Sequence, residues 1–463
     1  MTTTGPLADS RLFERFVSLR RDELVDDLCR FVAIPSVSSD DAATASAAEF
    51  LRDRLERAGV AAEIRHASAG GRPLVTGEVG PDDAPLTVLL YGHYDVFPAD
   101  EPEWRTDPFE ATIDGDRIYG RGTGDNKGQI LAYVQALRAL RESALEPPVK
   151  VKFLVEGEEE TGSPTLPHFA REARDDLEAD LCLYSDGPLF PGGRPVLLFG
   201  VRGAVGMELV AEGPSRNVHS GNFGGVVPNP VVDLCHVFAE LLHRDGTIAE
   251  PGLLEGVEPP SASEREALRK LPFDRDAFVR ELSVEPQPGS DPMAFHERLM
   301  CRPNFNVTGL VGGHAGDGFK PIVPARASAK VDVRLVGDQD PDQVVEAVQE
   351  FLRHRGYDRV TVRKLFGQPA STTPIDHPYA AAIRKGVHEA FGVPPLDVPR
   401  LAGTTPDYVF TKILGIPSIV VPLAPHDESN HAPNESTRIS LYLTGIKAAG
   451  AIFAALAETG RTS

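Results

Sequence analysis

The hydrophobic residues of the chain follow two periods, which predict helices and strands in alternation. Apolar positions at helical spacing predict an amphipathic helix over residues 10–31 and a second over about 42–58, which ends at Gly59. The strongest predicted strand, residues 86–91, has the sequence LTVLLY and is apolar on both faces. Such a strand is typical of the centre of a sheet that helices cover on both sides.

Polar residues come directly after three of the predicted strands. His93 and Asp95 follow the strand at 86–91. The acidic run EGEEETGS follows a second strand, and Asp186 follows a third. In open α/β sheets, ligands bind at the carboxyl ends of the strands. We therefore expect these polar residues to converge at one edge of a doubly wound α/β sheet.

A glycine-rich stretch at residues 120–128, GRGTGDNKG, precedes a predicted helix that begins near Ile130. Its four glycines predict a contorted loop, because glycine adopts backbone conformations that other residues avoid. The spacing fits neither GxGxxG nor the GxxxxGK pattern of phosphate-binding loops, and Asp125 would repel a phosphate. We interpret the loop as a device that places the Asp125 carboxylate in a site formed by distant parts of the chain.

The length and a change of pattern near residue 204 predict two domains. At 463 residues the chain exceeds the size of one ordinary core. Residues 204–370 show strands and helices in the order of a small α+β domain, and the α/β style returns afterwards. We therefore expect a catalytic α/β domain with a mixed sheet in two parts, 1–203 and 371–463, and an inserted α+β domain at 204–370.

Charge and composition exclude several classes of partner. The formal net charge of -21 argues against nucleic acid and anionic membranes, since both attract basic surfaces. No apolar run approaches the ~18 residues of a membrane span, and the N-terminus lacks the basic and apolar segments of a signal peptide. Cys29, Cys182 and Cys235 lie in apolar runs and are predicted to be buried free thiols, which fits a reducing cytoplasm.

Five residues at strand ends and in loops have the side chains that divalent cations select. Two imidazoles and three carboxylates suit two cations, with one carboxylate bridging them. The set is His93, Asp125, Glu160, Asp186 and His431. Glu159 would remain free to act as general base on a water shared by the cations, and Asp95 would hold the ring of His93.

The motifs that carry these residues resemble those of the M20 family of dinuclear metallopeptidases. They are HYD at 93–95, WRTDPF at 104–109, GRGTGDNKG, EGEEETGS, SDG at 185–187, HSG at 219–221 and SNHAPNES around His431. The segment 242–257, LHRDGTIAEPGLLEGV, is most similar to the branch of cytosolic nonspecific dipeptidases and carnosinases. The resemblance extends over nearly the whole chain and implies a dinuclear metal site and hydrolytic activity.

The resemblance also implies a role for each residue of the site. Asp125 would bridge two divalent metal ions per subunit, zinc or manganese or else cobalt, and a cis peptide bond would join it to Asn126. Glu159 would be the general base and Asp95 the orienting carboxylate. The remaining ligands would be His93 and Asp186 at one metal, and Glu160 and His431 at the other.

For the inserted domain, the resemblance implies a lid that also joins two subunits in a homodimer. His219 would reach into the partner subunit's site and stabilise the carbonyl oxygen in the transition state. Arg334 would bind the terminal carboxylate of the substrate as a planar bidentate donor. Further candidate substrate contacts are Asn304 or Asn306, Gly403 and Thr404.

These observations predict a cytoplasmic, homodimeric dipeptidase in which a metal-bridging water attacks the peptide bond and Glu159 takes its proton. An amidohydrolase for N-acyl or N-carbamoyl amino acids is the alternative within the same family. A non-catalytic scaffold or binding protein is the alternative from another class. It is disfavoured because every ligand position is filled.

Overall fold

The computed structural model describes residues 11–287, 289 and 291–460. The N-terminal residues on which the expectation about a signal peptide rests lie mostly outside this described part of the chain. The first described helix, Arg11–Val32, covers nearly all of the predicted one.

The chain forms two compact units, and each contains more than one segment of the sequence. The first unit comprises the residues up to Gly200, Thr373–Val398 and the residues from Val409 onwards. The second comprises Val201–Thr372 and Pro399–Tyr408. The predicted inserted domain falls within the first segment of the second unit, whereas the sequence pattern does not assign Pro399–Tyr408 to it.

The first unit is built on an eight-stranded mixed sheet, which confirms the predicted fold class. In spatial order its strands are Ala61–Ala67, Gly70–Val79, Lys150–Glu156, Thr87–His93, Leu181–Tyr184, Ser418–Val420, Val196–Leu198 and Leu396–Val398. The third to sixth strands in this order run parallel to one another. Their carboxyl ends therefore meet at one edge of the sheet, where His93 pairs in register with Glu156.

The helices of the first unit follow the predicted apolar stripes closely. They are Arg11–Val32, Asp41–Arg57, Lys127–Glu142, Leu166–Glu172, Pro378–Phe391 and Ile439–Gly460. The second helix begins at Asp40, whose carboxylate accepts hydrogen bonds from the N–H groups of Ala42 and Ala43, both at 3.0 Å. The segment Val409–Leu414 forms a π-helix.

The helix Ile439–Gly460 contradicts the expectation that no apolar run approaches the length of a membrane span. Among the described residues it is the one helix long and apolar enough, by length and composition alone, to cross a membrane. However, 61% of its most apolar window is buried inside the protein. That burial is typical of a core helix, and weakens any interpretation of the helix as a membrane span.

The second unit is built on a four-stranded antiparallel sheet. In spatial order its strands are Asn304–Gly312, Arg326–Leu335, Gly203–Glu212 and Val360–Gln368. Apolar residues at alternate positions of these strands form a buried core with the helices Pro230–Leu241 and Pro341–His354. Because side chains alternate along a strand, Asp332 and Arg334 lie on the opposite face from Val331 and Val333.

Shorter elements complete the second unit. Its other α-helices are Ser220–Phe223, Ala262–Lys270, Arg275–Leu282 and Pro292–Cys301. The first and the last of these are not predicted by the sequence pattern. Two-residue strands occur at Gly200–Val201, Val218–His219, Ile322–Val323 and Ser371–Thr372.

All four cysteines of the chain are free thiols. Cys182 and Cys301 are buried, and Cys29 is partly buried. The expectation of burial is wrong for Cys235, which is exposed. Cys235 lies on the helix Pro230–Leu241, whose core-facing residues are Leu234, Val237 and Leu241, so its side chain falls outside the buried stripe.

Candidate metal centre

A carboxylate from far along the chain holds the glycine-rich loop at residues 120–128. Oε1 of Glu435 accepts hydrogen bonds from the backbone N–H groups of Gly122, Gly124 and Asp125 at 3.0, 3.1 and 3.1 Å. Oε2 accepts one from Arg121 Nη1 at 2.9 Å. Buried N–H groups require such partners. Glu435 therefore fixes the loop, and with it the position of Asp125.

The loop needs glycine at particular positions. Gly122 has φ of 88°, a backbone conformation that side chains with a Cβ rarely adopt. A Cβ atom at Gly124 would collide with the carboxylate of Glu428. The peptide bond between Asp125 and Asn126 is cis, as the resemblance implies.

A three-stranded sheet brings His431 to the same loop. The strand Ser436–Arg438 pairs antiparallel with Arg117–Tyr119, which also pairs with Thr112–Asp114. Arg117–Tyr119 leads directly into the glycine-rich loop, and Ser436–Arg438 comes a few residues after His431. This pairing fixes His431 beside Asp125, although the two residues are far apart in sequence.

The five predicted ligands lie together in two groups that share Asp125. One group is His93, Asp125 and Asp186, and the other is Asp125, Glu160 and His431. Within each group the candidate ligand atoms lie within 4.8 Å of one another. Asp125 Oδ1 is 3.0 Å from His93 Nε2, and Asp125 Oδ2 is 3.2 Å from His431 Nε2. This arrangement suits one carboxylate that bridges two cations.

The polar atoms of the site fit metal ligation better than hydrogen bonding. His93 Nε2 is buried, and its 3.0 Å contact with Asp125 Oδ1 lacks the geometry of a hydrogen bond. A buried imidazole nitrogen without a hydrogen bond is costly unless a cation takes its lone pair. The carboxylates are crowded as well. Burial, together with the charge of the neighbouring Asp125, raises the pKa of Asp186 to about 7. Two divalent cations would relieve the repulsion within this cluster.

His431 is the most exposed of the five residues. Its Nε2 lies 2.9 Å from Glu160 Oε2, and hydrogen bonds to Asp125 and Glu160 raise the pKa of His431 to about 10. A cation can bind this nitrogen only when the proton has left. Binding of the second cation is therefore expected to release a proton and to weaken as the pH falls.

Asp95 connects the strand end to the acidic turn. Its Oδ1 is 3.3 Å from His93 Nδ1 and accepts a hydrogen bond from the Glu159 N–H at 3.2 Å. Its Oδ2 accepts hydrogen bonds from Ser38 Oγ at 2.6 Å and from the Glu160 N–H at 3.1 Å. A carboxylate with these partners holds the His93 ring and the acidic turn at a fixed separation.

Glu159 is the glutamate of the acidic run that remains free in the site. Glu160 contacts His431, and the Glu158 carboxylate accepts a hydrogen bond from Thr165 Oγ1. Burial raises the pKa of Glu159 well above its usual value; His93 opposes this rise, and Asp186 adds to it. Glu159 therefore lies in the electrostatic field of both metal groups without being a member of either.

A comparison with family models decides the relationship. The model of Peptidase family M20/M25/M40 matches residues 89–455, most of the chain. The chain belongs to peptidase family M20/M25/M40.

Relatives within family M20/M25/M40 extend over nearly the full length of this chain. Cys-Gly metallodipeptidase dug1 of Schizosaccharomyces pombe is 29% identical over 94% of this chain and 96% of its own length. The human Beta-Ala-His dipeptidase is 28% identical over 96% of this chain and 92% of its own length. These similarities confirm the predicted hydrolase family and the predicted likeness to its dipeptidases and carnosinases.

A solved structure from family M20/M25/M40 has the same fold. The metallo-carboxypeptidase Sso-CP2 from Sulfolobus solfataricus superposes with a TM-score of 0.87 at 32% identity. The superposition covers 94% of this chain and 99% of that chain. The chain therefore has the fold of this peptidase family and a candidate site for two metal ions.

Several residues of the site have no signal in the sequence pattern. Glu435 lies in the motif around His431, but nothing in that motif shows that three backbone N–H groups need its oxygen. Phe97 stacks on the His431 ring at 4.5 Å between centroids, and its N–H donates to Glu160 Oε1 at 3.1 Å. The contacts of Glu435 and Phe97 both depend on the pairing of Ser436–Arg438 with Arg117–Tyr119, which the sequence pattern does not show.

The residues predicted for substrate contact lie in the second unit. Arg334 donates from Nη1 to Thr404 Oγ1 at 2.8 Å and from Nε to Asp332 Oδ2 at 3.2 Å. Gly403, next to Thr404, is exposed. The structure thus brings Arg334 and Thr404 together within this unit.

The remaining candidates of the second unit are accessible side chains. Asn306 is exposed and donates from Nδ2 to Asn304 Oδ1 at 3.1 Å. His219 is exposed at the end of the strand Val218–His219, and its Nδ1 accepts a hydrogen bond from the Gly221 N–H at 3.0 Å.

Proposed function

We propose that this chain is a dinuclear metallodipeptidase that hydrolyses the peptide bond of dipeptides. The observation that carries the proposal is the Asp125 carboxylate between His93 and His431, with Glu159 free beside it. The two dipeptidase relatives support the substrate class because they match almost the whole chain. Bound divalent cations would lower the pKa of a water molecule and polarise the scissile carbonyl oxygen.

In this proposal the residues of the chain move one proton and keep the base in place. Glu159 accepts a proton from the attacking water as the water oxygen bonds to the carbonyl carbon. It then donates that proton to the amine nitrogen as the carbon–nitrogen bond breaks. Asp95 binds the backbone of Glu159 and the ring of His93, so base and ligand keep their separation.

The proposed enzyme uses zinc or manganese, or else cobalt, and acts in the cytoplasm. Histidine and carboxylate ligands suit zinc or manganese, and they suit cobalt as well. Four free thiols and an acidic composition are compatible with a reducing cytoplasm.

A substrate panel tests the proposed activity. The panel contains unmodified dipeptides, tripeptides, N-acyl amino acids and N-carbamoyl amino acids. Protein reconstituted with zinc, manganese or cobalt is expected to cleave the dipeptides with a kcat/KM at least about tenfold above that for the other three classes. Chelation of the metal should abolish the activity. Equal cleavage of tripeptides would favour a carboxypeptidase, the activity of the similar Sso-CP2. Preferred cleavage of the acyl or carbamoyl compounds would favour the amidohydrolase. No hydrolysis and no bound metal would favour the scaffold.

The proposed homodimer uses the edge of the second unit's sheet. Asn304–Gly312 is an edge strand, and its apolar residues Val307, Leu310 and Val311 are 40%, 46% and 72% exposed. An apolar edge strand that is left uncovered favours pairing with another chain. This supports an interface between two copies of the second unit, which the resemblance also implies.

Subunit mixing tests whether His219 acts across that interface. Mixing a His219→Ala chain with a Glu159→Ala chain is expected to restore up to about a quarter of the wild-type activity, because half of the dimers are mixed and each has one intact composite site. The readout is dipeptide hydrolysis after confirmed chain exchange.

The matched control for this mixture is His93→Ala with Glu159→Ala. Both of these substitutions lie in the first unit, so no exchange of second units yields an intact site. If the His219 mixture restores no more activity than this control, His219 does not serve the partner subunit.

A further inference from the structure

A second arginine lies close to Arg334 within the second unit. Arg202 is only 5% exposed, and its Nε donates a hydrogen bond to the Ala402 carbonyl oxygen at 2.8 Å. Its backbone N–H donates to the Leu401 carbonyl oxygen at 3.1 Å. Arg202 therefore anchors the segment that carries Thr404, which in turn accepts a hydrogen bond from Arg334.

The guanidinium of Arg202 is incompletely paired. Its Nη1 is buried and makes no hydrogen bond. Burial and the positive charge of Arg334 together lower the pKa of Arg202 to about 10, while Asp332 opposes the change. A charged donor in this position is costly unless an anion approaches it.

The charges around Arg202 do not balance. Asp332 is the carboxylate that acts on Arg202, and it already accepts a hydrogen bond from Arg334 Nε at 3.2 Å. Two guanidiniums thus share one carboxylate. The cluster keeps one excess positive charge, which is the charge that a single carboxylate would neutralise.

Arg400 is a buried arginine whose three guanidinium nitrogens all have polar partners. Its guanidinium lies on the same returning segment, Pro399–Tyr408, and Nη2 is 2.7 Å from Glu264 Oε1. Nη1 contacts Cys301 Sγ at 3.4 Å, and Nε donates to Thr372 Oγ1 at 3.2 Å. Among the described residues, Arg202 has no such carboxylate of its own, although both arginines hold the same segment.

We propose that Arg202 is a positioning residue of a two-arginine carboxylate site, which requires a substrate with one free terminal carboxylate. Arg202 supplies the second positive charge and holds residues 401–404 so that Thr404 stays on Arg334. The planar guanidinium of Arg334 then faces the carboxylate with its orientation fixed. This inference rests on the proposed dipeptidase function and adds a positioning residue, Arg202, to it.

The experiment compares a dipeptide, Gly-Leu, with its C-terminal amide, which has the same shape and no terminal charge. The parent enzyme is expected to prefer the free acid, and Arg202→Gln is expected to reduce that preference about tenfold, mainly through KM for the acid. Arg202→Lys keeps the charge without the planar fork and should recover part of the preference. The matched control, Arg400→Gln, should lower thermal stability while leaving the ratio of acid to amide unchanged.

A binding measurement separates this inference from the proposed function. In the Glu159→Ala background, calorimetric titration with Gly-Leu and with its amide reports affinity without turnover. If the parent cleaves no dipeptide but still binds the acid more tightly than the amide, and Arg202→Gln removes the difference, the dipeptidase proposal fails and the carboxylate site stands. If Arg202→Gln and Arg202→Lys change acid and amide equally, or change only the melting temperature, the carboxylate site is overturned.

Discussion

Replacing Glu159 with glutamine is expected to lower kcat about a thousandfold while the protein keeps its full metal content, since a positioned general base contributes on the order of 10²–10⁴ in rate. Glutamine has the size of glutamate and cannot take the proton from the attacking water. The two metal groups do not include Glu159, so their ligands remain in place. The measurements are steady-state kinetics on a dipeptide and metal analysis of the purified variant.

Glu158→Gln is the matched control for that substitution. Glu158 is the preceding residue of the same acidic run, but its carboxylate binds Thr165 rather than the site. Its replacement should leave kcat within about twofold of the parent, as expected for a residue that makes no transition-state contact. The assignment of the base is wrong if Glu159→Gln turns over dipeptides like the parent, or if Glu158→Gln is the variant that loses activity.

The main strands and helices of the chain could be predicted because their patterns extend over many residues. Thr87–His93 is apolar on both faces, and Arg326–Leu335 alternates between buried and less buried positions. Ser436–Arg438 has only three residues, too few to show a period. Such a short strand is stabilised by pairing with Arg117–Tyr119, and that pairing cannot be read from local sequence.

The ligand types of the site could be predicted because a metal centre demands particular side chains at sheet edges. The contacts that hold these ligands in place could not be predicted. Glu435 stabilises the glycine-rich loop by accepting hydrogen bonds from backbone N–H groups. Every residue except proline has such a group, so the sequence does not show which ones need an acceptor. Arg202 was not among the predicted contacts for a similar reason. Its importance depends on the fact that it shares the single carboxylate of Asp332 with Arg334. This is seen only when Pro399–Tyr408 is known to join Val201–Thr372.

Replacing Glu435 with alanine is expected to lower the free energy of unfolding by about 3–5 kcal/mol, the usual cost of removing one partner of a buried ion pair. The side chains of Glu435 and Arg121 are both 1% exposed. The substitution leaves the Arg121 charge buried, and it removes the common acceptor of three N–H groups in the glycine-rich loop. Urea denaturation of the metal-free protein measures the change, so loss of metal cannot account for it.

A solvent-exposed ion pair between the same two parts of the chain, near residues 117–121 and 427–435, provides the control. Arg117 and Asp427 also form an ion pair between them, but the side chain of Asp427 is 39% exposed. Asp427→Ala should therefore cost less than about 1 kcal/mol, because water screens exposed pairs. Glu435→Ala should also weaken metal binding, since the Asp125 N–H loses the partner that fixes it, whereas Asp427→Ala should not. Equal losses of stability in the two variants would mean that burial of the Glu435 carboxylate does not determine the position of the loop.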